Sequence, residues 1–149
     1  MEPDHDRVYT VTDYWDGPRK GIADFEGRPH LYVSDWDDPA DDYASTFRLS
    51  PVEHRVLALA LEDWDIWLRW QTAFHKGRTT LETHPALPED RARHDELREI
   101  LERNLKIDER DYVRAHGDFK PLEAESSGVG HGPLQVKWTR CSNGEHCGV

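Results

Sequence analysis

The first third of the chain alternates apolar and polar positions in short runs that predict β-strands. Residues 8–14 are rich in β-branched and aromatic side chains, which favour extended structure. Two shorter strands are predicted at 22–25 and 30–34, joined as a hairpin across the Glu-Gly-Arg-Pro sequence at 26–29. A fourth strand, with a weaker pattern, is predicted at 43–49. These runs indicate an antiparallel sheet.

The apolar spacing then changes to a helical period and predicts one long helix from Pro51 to Lys76. Ser50 and Glu53 have the spacing of a capping box, in which each side chain accepts the backbone N–H of the other residue. Gly77 suits the left-handed residue that often ends a helix. The apolar side chains of this helix cover two sectors of its surface, which predicts that more than one layer encloses it.

The second half of the chain predicts one more helix and two more strands. The helix begins at Pro88 and ends near Lys106. The strands are predicted within 111–122 and at 134–139, on either side of a glycine-rich turn at 126–133.

These elements predict an α+β fold. We expect an antiparallel sheet of about five or six strands, packed on the long central helix and the second helix. The expected organisation is one domain over residues 1–149, with disordered tails at 1–7 and 141–149.

Composition and charge restrict the partners of the protein. The net charge is −11, which argues against a nucleic-acid partner, since phosphate backbones require clustered Lys and Arg. The longest apolar run, 56–61, is too short for a membrane span, and the N-terminus has no signal-peptide pattern. We therefore expect a cytoplasmic protein with no membrane or nucleic-acid partner.

The stretch from Asp35 to Asp42 is the most acidic part of the chain, with five Asp in eight residues. An acidic surface can attract a basic partner, although a solvated loop that aids solubility explains the same composition. Trp15 and Trp36 lie at loop edges in this acidic half. An exposed Trp beside Asp suits recognition of a cationic group, while the alternative is that both rings cap the sheet.

The long helix carries polar residues on its apolar sectors. Asp63 projects between the two sectors and therefore needs a partner or an exposed position. A carboxylate near His75 could support acid–base chemistry, but the two residues are about 18 Å apart along the helix axis. The favoured interpretation is a structural Asp63, paired with an arginine or a backbone group. The candidate binding residues are Trp15, Trp36, Asp37, Asp38, Asp41, Asp42, Asp63, His75 and His84.

His75, His84 and His94 flank a loop that contains two prolines, and three imidazoles could meet at a metal ion. However, no pair has the i, i+4 spacing of a helical metal site, so we assign no metal ligands and no cofactor. Cys141 and Cys147 are more widely spaced than the cysteines of a zinc knuckle. No nucleophile motif occurs in the chain.

Three segments resemble a family of small bacterial proteins of unknown function. They are YTVTDYWDGPR at 9–19, LEDWDIWLRW at 61–70 and HPALPEDRARHDEL at 84–97. The resemblance covers residues 8–123 and leaves the cysteine tail outside. It implies a bacterial cytosolic origin and no activity or functional residues.

Two hypotheses about function lead to direct tests, and a third, a purely structural role inside a larger assembly, stays open. The first is a small acidic protein-binding module of the toxin-neutralising or immunity kind, with a basic protein as partner. The alternative is a small metal-dependent hydrolase that uses the clustered histidines near His84. The absence of a catalytic set favours the binding module over the enzyme.

Overall fold

Six antiparallel strands form a closed barrel in the order of the sequence. The strands are β1 (Asp6–Tyr14), β2 (Pro18–Phe25), β3 (Arg28–Asp37), β4 (Asp42–Pro51), β5 (Val113–Pro121) and β6 (Leu134–Arg140). β1 closes the barrel against β6, with Asp6 opposite Val136 and Arg7 opposite Gln135. The structure, a computed structural model, describes residues 2–122 and 133–141. Most of the predicted turn at 126–133 and all of the C-terminal tail except Cys141 lie outside them.

The chain divides into two compact units. The barrel unit comprises Met1–Val52 and Lys106–Val149, and the helical unit comprises Glu53–Leu105. The helical unit contains α1 (His54–His75) and α2 (Arg91–Asn104), with short 3-10 turns at Leu81–Thr83 and Pro88–Asp90.

The predicted sheet packed on a long central helix is wrong. Apolar alternation along a strand identifies its buried face, but the same alternation serves an open sheet and a barrel. Here the sheet covers its own apolar face because its first and last strands pair. The sheet closes on itself rather than onto the long helix.

The inside of the barrel is filled by aromatic side chains. The rings of Tyr32, Phe47, Phe119 and Trp138 pack together, with centroid distances of 5.3 to 6.0 Å. Gly117 leaves room for them, since a Cβ there would lie 2.6 Å from the Trp138 ring. The Tyr32 hydroxyl donates to the Thr10 carbonyl at 3.0 Å, and burial raises its pKa. This interior is therefore a packed core.

The start of the long helix differs from the prediction. Ser50 lies in β4 opposite Leu31, and its Oγ accepts the N–H of Asp108 at 2.9 Å. The helix begins at His54 after Glu53, which makes no side-chain capping bond. The predicted capping box is thus wrong, because β4 extends as far as Pro51 and uses the serine hydroxyl within the barrel unit.

The end of the long helix confirms the prediction. Gly77 has φ +72°, the left-handed conformation expected of a helix-ending glycine. Its N–H donates to the Phe74 carbonyl and the N–H of Arg78 donates to the Ala73 carbonyl. These two bonds form a Schellman motif, which turns the chain back across the last helical turn.

The helical unit is held together by an apolar core and by ion pairs between α1 and the segment 90–93. Ile66, Ala86 and Leu97 form the buried core. The guanidinium of Arg93 binds both carboxylate oxygens of Glu62, at 2.6 and 2.8 Å. This hydrogen bonding lowers the pKa of Glu62.

Among the described residues, no helix is both long and apolar enough to cross a bilayer.

The N-terminal residues bind strands β5 and β6 close to the seam of the barrel. The backbone N–H of Glu2 donates to Gln135, and its carboxylate lies 2.5 Å from the Lys120 ammonium. Asp4 binds the His5 ring at 2.8 Å. The hydrogen bond with Lys120 lowers the pKa of Glu2, and the bond with His5 lowers the pKa of Asp4. These contacts reinforce the seam, where Asp6 and Arg7 pair with Val136 and Gln135 of β6.

Candidate binding surface at the hairpin end of the barrel

Two β-hairpins place three exposed aromatic side chains at one end of the barrel. The β1–β2 and β3–β4 turns lie at the same end, because consecutive strands run in opposite directions. Trp15 is 68% exposed, Trp36 51% and Tyr14 47%. Singly exposed aromatic residues are ordinary, but several at one end of a fold suggest a contact surface.

Arg19 and Tyr43 connect these two hairpins. The guanidinium of Arg19 donates to the carbonyls of Trp15 and Asp16, each at 2.7 Å. It also lies over the Tyr43 ring, 4.7 Å from the centroid. Tyr43 in turn meets Trp36 edge to face, with centroids 5.1 Å apart. The two predicted Trp residues therefore belong to one connected surface.

The turn between β3 and β4 adds negative charge to this surface. Asp37 and Asp42 face each other as the last pair of the two strands. Asp38 and Asp41 close the turn through a backbone hydrogen bond of 3.1 Å, and Asp41 has φ +50°. Within the described residues these four carboxylates form no ion pair; the Oδ1 of Asp42 accepts the N–H of Tyr43. Like charges placed opposite each other on a sheet destabilise it, so this arrangement costs stability.

Asp35 belongs to the same acidic stretch, but its carboxylate is paired with basic residues of the barrel. Its carboxylate binds Arg114 at 2.8 Å, accepts the Thr46 hydroxyl at 2.9 Å and lies 3.4 Å from Arg48. The hydrogen bond with Asp35 raises the pKa of Arg114. The protein thus neutralises one aspartate of the stretch, whereas the following four have no basic partner in the part of the chain that the structure describes.

We define the hairpin-end surface by its aromatic, acidic and basic members. They are Tyr14, Trp15, Asp16, Arg19, Trp36, Asp37, Asp38, Asp41, Asp42 and Tyr43. Such a surface can hold cations by ring faces and carboxylates together. The sequence pattern does not indicate Arg19 and Tyr43, since their roles depend on a contact between two separate hairpins.

The other predicted site residues lie in the helical unit. Asp63 binds the Nδ1 of His94 at 2.6 Å, and His94 is only 8% exposed. Asp63 is paired as predicted, but its partner is a histidine instead of an arginine or a backbone group. This pair cross-links α1 and α2. Asp63 is half-buried, and its bond to the buried His94 ring gives it a structural role.

The three histidines that flank the proline loop make separate contacts. The His84 ring meets Trp70 edge to face at 4.6 Å, and the His75 ring meets Phe74 at 5.7 Å. His94 is held by Asp63. In residues 2–122 and 133–141, the ligand-type side chains close enough to hold a metal ion are Glu2, Asp4 and His5. The proposed hydrolase site near His84 therefore receives no support from this geometry.

Comparisons with models of known protein families, with curated proteins and with solved structures give no match. The resemblance to a family of small bacterial proteins stays a prediction.

Proposed function

We propose that the protein is a binding module whose hairpin-end surface takes up a basic segment of a partner protein. Lysine and arginine side chains of that segment would lie on the rings of Trp15 and Trp36. Their charges would meet the carboxylates of the β3–β4 turn. This proposal rests on one observation. Exposed Trp rings lie at the same end of the barrel as aspartates that form no ion pair within the described residues.

The residue types of the surface support binding. Trp, Tyr and Arg dominate the energetics of protein interfaces, and all three occur here. Arg19 is fixed by two backbone carbonyls and by the Tyr43 ring, so it serves to hold the hairpins. A surface ordered in this way loses little conformational entropy when a partner binds.

The uncompensated charge supports a cationic partner. The facing Asp37 and Asp42 carboxylates reduce fold stability. Among residues 2–122 and 133–141, basic side chains neutralise Asp35 and none of the four aspartates that follow it. Residues that break a local stability rule are often retained for function. A basic segment would relieve the repulsion when it binds, and the acidic field would accelerate its approach.

Titration with fluorescein-labelled decalysine tests this proposal, followed by fluorescence anisotropy at low and physiological salt. We expect binding that weakens with salt, and no binding of labelled decaglutamate. The Trp15→Ala/Trp36→Ala variant should bind decalysine about fivefold to thirtyfold more weakly, because each exposed cation–π contact contributes about 0.5–1 kcal/mol.

Two variants of the helical unit serve as controls. Trp67→Ala removes a partly exposed ring, and Asp95→Asn removes an exposed carboxylate without an ion pair in the described residues. Both should bind decalysine like the wild type. Equal binding by the double Trp variant and the wild type would contradict the proposal, as would equal losses in the control variants.

The finer identity of the partner is also a proposal. The partner would be a basic toxin, and the protein would block it by covering its cationic surface. The acidity of the protein and its exposed aromatic rings suit such a partner. The protein would then act as an immunity or toxin-neutralising factor in the cytoplasm. Electrostatic steering would make its association fast and dependent on ionic strength.

A further inference from the structure

The helical unit contains a cleft that shares no residue with the hairpin-end surface. It lies between the C-terminal half of α1, the chain that follows Gly77 and the segment before α2, and its volume is about 670 Å³. Leu68, Ala73 and Leu87 supply apolar lining, and Lys76 and Arg78 supply positive charge. Sites for small molecules usually combine a mainly apolar lining with a few polar groups in a volume of this size.

Lys76 and Arg78 differ from the other basic residues of the helical unit. Every other Arg of this unit binds a carboxylate or a backbone carbonyl: Arg55, Arg69, Arg91, Arg93, Arg98 and Arg103. The side chains of Lys76 and Arg78 have no such partner among the described residues, and both line the cleft. In a chain with 30 acidic and 19 basic residues, two unpaired cations in one cleft indicate an acceptor that is not part of the chain.

The local fold explains how these two cations reach the cleft. Lys76 directly follows α1 as its C-terminal cap, where the negative end of the helix dipole favours a cation. The Schellman motif at Gly77 then turns the chain, so that Arg78 lies beside the last helical turn. The dipole accounts for a cation at the helix end, but it does not require Arg78 to line the cavity.

Hydrogen bonds hold the segment between Gly77 and α2, from which Thr79, Leu87, Pro88 and Glu89 line the cleft. Trp70 donates its ring N–H to the Thr83 hydroxyl at 2.8 Å. The guanidinium of Arg91 donates to the carbonyl of Thr83 at 2.8 Å and so holds the proline loop. Thr79 bonds to the same Thr83 hydroxyl. This preformed shape reduces the entropic cost of binding a small molecule.

The charges of the cleft select the kind of ligand. Asp65 and Glu89 also line it, and Asp65 precedes Lys76 by about 16 Å along α1. Arg69 is neutralised by the two oxygens of Asp90, at 3.0 and 3.1 Å. The positive charge is therefore confined to the end with Lys76 and Arg78, and a polyanion would meet repulsion elsewhere.

We propose that the cleft binds a small organic anion with one acidic group. A carboxylate or phosphate group lies between Lys76 and Arg78, and an apolar body rests against Leu68, Ala73 and Leu87. This site is independent of the proposed protein-binding function.

Calorimetric titration of the full chain with 1-naphthoate and with 1-naphthyl phosphate tests this inference. Each combines an apolar ring system with one acidic group, and we expect one molecule bound per chain. Comparison of the two distinguishes a carboxylate from a phosphate ligand. Neutral 1-naphthol and inorganic phosphate, which each lack one of these features, should bind at least tenfold more weakly.

The Lys76→Gln/Arg78→Gln variant should bind the better probe at least tenfold more weakly. It should remain fully folded in the absence of urea, since the substitution removes only the favourable interaction of Lys76 with the helix dipole. Arg98→Gln/Arg103→Gln is the matched control, since it removes the same charge from ion-paired residues of α2. Wild-type affinity in the first variant, an equal loss in the control, or failure of both acidic probes to bind would overturn the inference. Tight binding of 1-naphthol would do the same. Decalysine binding should not change in either variant.

Discussion

The Asp37→Asn variant should stabilise the protein and weaken its binding to a basic segment. Asp37 and Asp42 are opposite residues at the end of β3 and β4. Neither carboxylate forms an ion pair in the described residues. The substitution retains the size and polarity of the side chain and removes one of the two facing charges. It therefore separates the cost of the charge from any effect of shape.

The expected gain follows from the spacing of the strands. Facing side chains are about 5 Å apart, at which two unit charges in water repel by about 0.8 kcal/mol. Screening at physiological ionic strength reduces this repulsion to about 0.4 kcal/mol. Asp38 and Asp41 add repulsion of the same sign. The free energy of unfolding should thus increase by about 0.5–1 kcal/mol at low salt.

Urea unfolding at several salt concentrations measures this gain. Urea is uncharged, so it leaves the electrostatic repulsion unscreened. The advantage of Asp37→Asn over the wild type should be largest at low salt and should shrink as salt is added. Decalysine affinity should fall about twofold to fivefold, since an exposed ion pair contributes about 0.5–1 kcal/mol.

Asp95→Asn removes an exposed carboxylate of α2 and supplies the baseline for a general change in net charge. A loss of stability in Asp37→Asn, or a gain that does not depend on salt, would refute the reasoning about the facing carboxylates. A stability gain without any loss of decalysine affinity would show that the charges do not serve binding.

Four further variants test the fold. Gly117→Ala should destabilise the barrel by about 1–3 kcal/mol in urea, since its Cβ would overlap the Trp138 ring, and wild-type stability would contradict the packed interior. Gly77→Ala should cost about 1 kcal/mol through its positive φ alone, because no atom lies within 4 Å of the added Cβ; Gly77→Asn should cost less. The pKa values of Glu2 and Asp4 are lowered in the fold, so the stability that these carboxylates contribute is present above their unfolded values of 4.5 and 3.8 and is lost as pH falls further. The Glu2→Gln/Asp4→Asn variant should accordingly lose less stability than the wild type between pH 5 and pH 3, and parallel acid curves would exclude this linkage.

Local sequence determined the elements of this protein and several of their ends. The hairpin predicted across 26–29 forms, with φ of +51° at Glu26 and +80° at Gly27, as a tight turn between β2 and β3 requires. The predicted strand at 134–139 appears as Leu134–Arg140. The left-handed end of α1 at Gly77 is also as predicted. These features depend on residues that are close together in the chain, so the sequence pattern contains what is needed to infer them.

Tertiary structure decided how the elements assemble and which residues form a surface. The barrel closes because Asp6 and Arg7 pair with strand β6, more than a hundred residues later, and no local pattern encodes that pairing. Ser50 lies in a sequence typical of a helix cap, but its hydroxyl accepts the backbone N–H of Asp108 instead. The sequence indicated Trp15, Trp36 and the neighbouring aspartates as separate candidates. Only the packing of two hairpins joined them through Arg19 and Tyr43, because that contact depends on strand register and barrel curvature.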